Sequence, residues 1–340
     1  MTYTHASEVE APTALPSRFL RRALGSPLLP ITLALVLVCG VMTALSASFL
    51  TATNLTNIVV QSAVVGIAAV GATFVIVTGG IDLSVGSNIA LSGLLGAMVA
   101  QDHGGLAGIV TTLVVALIVG LFNGVSITWL KLTPFIVTLA AMGIARGLTL
   151  QQSQGQTVYD LPAVFIWLGS AKVGGINVVL ILTVVMFVSG HLILKRTTFG
   201  HRVYAAGGNA EASRLAGINV DRTVLACYVI AGLCAGLAAL VLVGRLGSAA
   251  PNAATGTELQ VIAAVVIGGT SLFGGKGSVV GTFIGVLLIG VINNGLTLLN
   301  VSPFWVQTVQ GTLIFLAVLL DSFNNRRMQK QLTAKRSVGA

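Results

Sequence analysis

Apolar runs, each about as long as the 20 residues a helix needs to cross the hydrocarbon core of a bilayer, recur along this 340-residue chain between short polar or glycine-rich breaks. In lipid every backbone polar group must be satisfied within its own segment or in a closed barrel. Nothing in the sequence alternates apolar and polar residues with the period that a barrel requires. The pattern therefore predicts an all-α, polytopic membrane protein of about ten transmembrane helices, with spans near 28–48, 57–78, 86–101, 106–130, 134–151, 176–194, 223–244, 259–274, 279–299 and 304–321. The third and eighth are short. Composition agrees: only 8% of residues are charged, against roughly 25% in soluble proteins, too few to cover a surface in water.

Orientation follows from the basic residues. With the N-terminus inside, the inner segments collect Arg18, Arg21, Arg22, Lys131, Lys195, Arg196, Arg202, Arg214, Arg222, Lys276, Arg326, Arg327, Lys330, Lys335 and Arg336, which is 15 of the 18 Lys and Arg residues. Only Arg146, Lys172 and Arg245 fall outside, as the positive-inside rule predicts for an even number of spans with both termini in the cytoplasm. The net charge of +9 is thus topological, and nucleic acid is not an expected partner. The first apolar run has the length of a span rather than of a 7–15-residue signal core, so it is expected to be retained. The expected organisation is a disordered cytoplasmic tail over 1–26, a transmembrane domain over 27–321 and a basic cytoplasmic tail over 322–340.

Few residues offer chemistry. Cys39, Cys227 and Cys234 lie inside apolar runs and read as packing residues, and no metal-ligand spacing appears. No Ser/His pair or paired carboxylates fall within a span, so no catalytic residue is expected. Lys276 follows a glycine-rich stretch, but Thr270 replaces the first glycine of a phosphate-binding loop and Gly277 replaces its hydroxyl residue. With no nucleotide site of its own, the chain needs another subunit for any ATP-driven work.

Two glycine-rich breaks follow Val/Ile-rich runs. One carries Gly79, Gly80 and Asp82; the other carries Gly268, Gly269, Gly274 and Gly275. Breaks of this kind in corresponding halves point to a transport pathway, or are two turns with similar packing needs. Asp82 is the only acidic residue between Glu10 and Asp102. It is either a proton-coupling carboxylate or a cap on the helix that starts near Ser84; the flanking glycines and Ser84 favour the cap. Arg245 and Glu258 bracket a connection on the outer side, where they either pair or present charge to a docking partner.

The longest polar segment, 195–222, contains a helix of about two turns. Asn209 is a good N-cap, Glu211 lies in the first turn, Arg214 lies near the end, and Gly217 is a stop. A helix so short is not stable alone, so the rest of the chain or a partner on that face must brace it.

These residues resemble a known family. Glu211-Ala212-Ser213 with Gly217 is similar to the E-A-A-x-x-x-G coupling loop of bacterial ABC importer permeases. The run from Gly79 to Gly86, the loop from Gly207 to Ile218 and the run from Val266 to Gly277 resemble the ribose and simple-sugar group of those permeases. The resemblance covers about 50–321 and implies an inner-membrane permease subunit, working as a homodimer. Its coupling loop (Asn209, Glu211, Ala212, Ser213, Arg214, Gly217) would seat in a cytoplasmic ABC ATPase that binds ATP and Mg, with no cofactor on this chain. A periplasmic sugar-binding protein would deliver substrate, with Arg245 and Glu258 as docking candidates. Related permeases carry branched-chain amino acids. A sugar path needs uncharged hydrogen-bonding groups, and Gln61, Asn88, Asn123, Asn293 and Asn294 supply them within spans, with Ser92, Gln307 and Gln310 as further candidates. Polar groups in lipid also tie helices together. The competing expectation is an ion-coupled secondary transporter or channel that uses Asp82.

Overall fold

The computed structural model describes residues 28–302 and, beyond them, 305, 308, 311, 312, 315 and 319. Both expected tails, Gln307, Gln310 and most of the expected span 304–321 lie outside the described residues. The helices are α1 (Leu29–Leu45), α2 (Ala52–Val77), α3 (Val85–His103), α4 (Gly105–Thr128), α5 (Pro134–Ser153), α6 (Ala163–Ser170), α7 (Val178–Arg196), α8 (Thr198–Gly208), α9 (Ala210–Leu215), α10 (Val220–Leu246), α11 (Thr257–Ile267) and α12 (Val279–Leu298). Six of them, α2, α4, α5, α7, α10 and α12, are long and apolar enough to cross a membrane, and the chain is a multi-pass membrane protein. Large apolar side chains such as Leu33, Val110, Ile144 and Val184 point outward from α1, α4, α5 and α7, as a surface facing lipid requires.

Local chemistry sets the helix starts. Thr51, Asn177 and Ser278 cap α2, α7 and α12 by accepting the amides of Asn54, Val179 and Gly281, and Pro30 and Pro134 sit in the first turns of α1 and α5, where the missing N–H costs nothing. The core forms around α2, whose residues from Ser62 to Val77 are all buried. A helix apolar on every side belongs at the centre. Its main partner, α10, also crosses α4 at Gly120 and Gly232. A Cβ on Gly120 would stand 2.6 Å from the Tyr228 carbonyl oxygen and 3.0 Å from the Gly232 Cα, and one on Gly232 would stand 2.6 Å from the Ala116 carbonyl oxygen. The backbones touch there, as small residues allow in lipid.

Three sequence expectations need correction. The eighth span, expected over 259–274, is a helix only from Thr257 to Ile267. At 1.5 Å per residue it covers about 16 Å, half the hydrocarbon core. It stops because Gly269 takes φ 87° and the chain stays non-helical through Gly274 and Gly275, also at positive φ. Secondly, the loop 195–222 contains a second helix, α8, as well as the short one. Thirdly, the all-α expectation omitted a two-stranded hairpin, β1 (Lys172–Val173) and β2 (Ile176–Asn177), in the register Lys172↔Asn177 and Val173↔Ile176. Gly174 and Gly175 turn it, both at positive φ, as a tight hairpin turn demands.

Candidate functional site

The two glycine-rich breaks end their helices by the same device. After α2, the Gly79 amide donates to the Ile76 carbonyl (2.9 Å) and the Gly80 amide to Val75 (3.1 Å). After α11, the Gly269 amide donates to Val266 (2.9 Å) and the Thr270 amide to Val265 (3.2 Å). Each first donor is a glycine at positive φ, so both are glycine-closed helix stops of one type.

Beyond the first stop the chain runs non-helical through Asp82 before α3 begins. The start of α3 lies inside the bundle. Asn123 Nδ2 donates to Ser84 Oγ at 2.8 Å, and Asn123 lies five residues before the end of α4, about 8 Å along its axis. The Ile81 carbonyl accepts from Thr138 Oγ1 at 3.1 Å, and the Tyr228 hydroxyl reaches it at 3.5 Å. The start of α11 meets the same place: Glu258 and the Ala254 carbonyl fill the space where a side chain on Gly86 would begin. Two helices thus start from irregular backbone within the bundle, their N-terminal ends side by side.

Asp82 is buried, and its Oδ1 accepts the Ser84 amide (2.8 Å) and the Ser84 hydroxyl (2.6 Å). The carboxylate therefore fixes the turn just before α3; it bonds Ser84 rather than a first-turn amide, and α3 itself starts without a side-chain cap. An amide oxygen accepts the same two bonds, so Asp82→Asn is expected to cost less than about 1 kcal/mol and to leave transport within a few-fold of wild type. Loss of all uptake with the protein still folded would point instead to proton coupling.

The polar residues expected along a pathway divide into two groups. Asn88 Nδ2 donates to the Ala116 carbonyl at 3.2 Å, and Asn123 binds Ser84; both are buried and join α3 to α4. Asn294 and Asn54 exchange amide hydrogen bonds at 3.0 and 2.9 Å, which ties α12 to α2. Ser92 turns back to the Asn88 carbonyl of its own helix at 2.6 Å. Gln61 and Asn293, by contrast, line a cavity of about 300 Å³ between α2, α10, α11 and α12, together with Arg245 and Gln260 and the apolar Val65 and Ile289.

Arg245 thus faces the cavity. Among the described residues no carboxylate lies within ion-pair distance of it, and Glu258 instead accepts the Gly256 amide at its own helix start, at 3.3 Å. The sequence alternative of an Arg245–Glu258 pair is not realised. Gln260 had no place in the sequence reading. Its only signal is a polar residue one turn into an apolar helix, where α11 passes the cavity.

The short helix in the loop is built as its residues require. Asn209 Oδ1 accepts the Ala212 amide at 2.9 Å, and Ser213 is buried against the Asn209 carbonyl. Gly217, at φ 82°, closes the helix while the Ile218 amide donates to the Ser213 carbonyl at 2.9 Å. Glu211 and Arg214 lie 3.5 Å apart, and Arg214 also faces Asp221 at 3.6 Å, which Lys131 holds at 2.6 Å. Leu215, next in the chain after Arg214, stands 87% exposed. Sequence reasoning passed over Leu215.

Residues 54–318 match the family described as branched-chain amino acid transport system / permease component. The chain is 41% identical over 295 residues to the ribose import permease protein RbsC of Escherichia coli K12, covering 85% of this chain and 92% of that one. It is 44% identical over 292 residues to RbsC of Bacillus subtilis 168, covering 85% and 91%. It is 42% identical over 275 residues to the D-allose transport system permease protein AlsC of Escherichia coli K12, covering 80% and 84%. No solved structure matches it.

Proposed function

The chain belongs to the branched-chain amino acid transport system permease family, and from that premise we propose that it is the membrane-spanning subunit of an ATP-driven ABC importer for a monosaccharide, ribose or a close relative. The observation that carries this reading is the match, over 85% of the chain, to permeases whose names specify ribose import. It favours the importer over an ion-coupled transporter. The chain supplies the path and a partner ATPase supplies the force, with ATP and Mg bound on that partner and no covalent reaction carried out here.

The topology goes with it. The end of the bundle that carries α8 and α9 faces the cytoplasm, both termini lie there, and ten segments cross the membrane, α11 spanning only the inner half. Two copies pair around the path. α9 with Glu211, Leu215 and Gly217 seats in the ATPase. A periplasmic binding protein docks at the opposite end, near the segment between Arg245 and Glu258. The solute passes the cavity of Gln61, Arg245, Gln260 and Asn293. Three amides and a guanidinium offer hydroxyl groups many donors and acceptors, while the apolar side receives the C–H face of a sugar ring.

Reconstitution tests this reading. Vesicles holding the chain, its ATPase and the binding protein are expected to take up ribose only when ATP is supplied. Uptake by the chain alone, driven by an ion gradient, would overturn it. Within the assembly, Gly217→Val forces a β-branched residue into the left-handed region at a cost of roughly 1–2 kcal/mol, and Glu211→Lys reverses the charge beside Leu215. Each is expected to weaken capture of the ATPase about tenfold, equal to about 1.4 kcal/mol, with membrane insertion unchanged. Capture at wild-type strength would remove α9 from the docking role.

A further inference from the structure

Five glycines from three segments distant in sequence, Gly79, Gly207, Gly208, Gly274 and Gly275, meet backbone to backbone where α8 crosses the end of α2. The Gly275 amide donates to the Val77 carbonyl at 2.8 Å. A Cβ on Gly207 would collide with that same carbonyl and lie 2.7 Å from the Gly275 nitrogen. A Cβ on Gly274 would stand 2.8 Å from the Gly207 carbonyl oxygen and 2.9 Å from the Gly79 nitrogen, and one on Gly275 would stand 2.8 Å from the Gly208 Cα. The first helix break, the second helix break and the last turn of α8 therefore share one contact. Backbones this close have no side chains between them to absorb a displacement.

The rest of α8 makes the contact stiff. Phe199, Val203 and Ala206 lie on one face, Val203 and Ala206 buried, and the Phe199 ring stacks on Phe74 of α2 with centroids 6.2 Å apart. Tyr204 donates its hydroxyl to the Gly277 carbonyl at 2.8 Å, and burial pushes its phenol pKa up, so it stays a neutral donor. Only Asn209 separates α8 from α9, and its amide continues the α8 ladder to Ala205 at 3.1 Å. A push on α9 therefore reaches α8 through a single residue.

We propose that Gly207 and Tyr204 are positioning residues that pass movement of α9 to both helix breaks at once, through the backbone contact at Gly79, Gly274 and Gly275. This rests on the reading of α9 as the ATPase-contacting element. One segment extends from Gly79 to the start of α3, and the other extends back from Gly274 to the end of α11. Displacing α8 thus moves the connections of both internal helices together, which ties them to one input.

The neighbouring glycines supply the test. A Cβ on Gly208 meets nothing within 4 Å, so Gly208→Ala is the matched control for Gly207→Ala. In vesicles holding the complete transporter, sugar taken up per ATP hydrolysed and capture of the ATPase are measured side by side. Gly207→Ala is expected to keep capture and hydrolysis but to lower uptake per ATP at least about fivefold, the lower end of ordinary allosteric coupling. Gly208→Ala is expected to stay within about twofold of wild type, and Tyr204→Phe to fall between them with capture intact. If Gly207→Ala does not insert, Tyr204→Phe decides. Wild-type uptake per ATP in Gly207→Ala and Tyr204→Phe, or an equal loss in Gly208→Ala, would overturn the joint. Failure of the unaltered complex to couple uptake to ATP would overturn the functional reading instead.

Discussion

Gly232→Val is expected to destabilise the fold rather than to act on the transport step. A side chain at Gly232 begins 2.6 Å from the Ala116 carbonyl oxygen and 3.0 Å from the Gly120 Cα, so every atom it meets first is backbone. No rotamer of valine relieves that overlap, and α4 and α10 have to separate. The facing glycine is in the same position, since a Cβ on Gly120 meets the Tyr228 carbonyl oxygen and the Gly232 Cα. Overpacking a tight core costs about 1–3 kcal/mol and occasionally more. A clash against backbone between two helices in such close contact belongs at or above the top of that range. In detergent the variant should lose its monodisperse peak, or unfold at a clearly lower temperature than wild type. A Gly232→Val protein as stable as wild type would mean that α4 and α10 do not meet in this way.

Gln61→Trp is expected to do the reverse, blocking uptake in a protein that folds and assembles normally. Gln61 lies on the exposed face of α2 at the edge of the cavity, so an indole there is accommodated without moving a helix. It projects into a space of about 300 Å³ and replaces an amide that both donates and accepts with a group that only donates. Uptake should fall tenfold or more, a rise of about 1.4 kcal/mol or more in the barrier for passage. Capture of the ATPase and the thermal midpoint should not move. Uptake equal to wild type would show that the solute passes elsewhere, and the cavity would lose its role while the importer assignment stood.

Much of this could be read from the residues in order. The long helices follow from apolar runs, because in lipid no other structure satisfies so long a stretch of backbone. The short helix from Asn209 to Gly217 was legible in full, since a cap and a stop are local chemistry: the Asn209 side chain needs only the Ala212 amide. The two glycine-rich breaks were legible as breaks. That they share one hydrogen-bond pattern also follows from local sequence, because only glycine takes the conformation at Gly79 and Gly269 without strain.

Facing was not legible. Asn293 and Asn294 are adjacent and chemically identical, yet Asn294 bonds Asn54 inside the bundle while Asn293 lines the cavity. About 100° of helix rotation separates them, and nothing in an apolar run marks which side meets a gap. Arg245 shows the same limit. Its place at the end of α10 suggested an outer surface, but α11 begins within the bundle and brings Gln260 beside it. The exact end of α11 was harder to read, because the apolar run resumes at Leu272 and Phe273 beyond the glycines, and the φ of Gly269 fixes the stop after Ile267.

The sequence by itself determined the solvent, the helices, their punctuation and the family, since each depends on residues that are neighbours along the chain. Tertiary structure alone decided which amides face the cavity, that two helices start side by side within the bundle, and that five glycines from three segments touch at one point. Those features depend on contacts between segments far apart in the chain, as Asn54 and Asn294 are, 240 residues from each other. No local preference encodes them, because helix packing in lipid is set by the fit of whole faces.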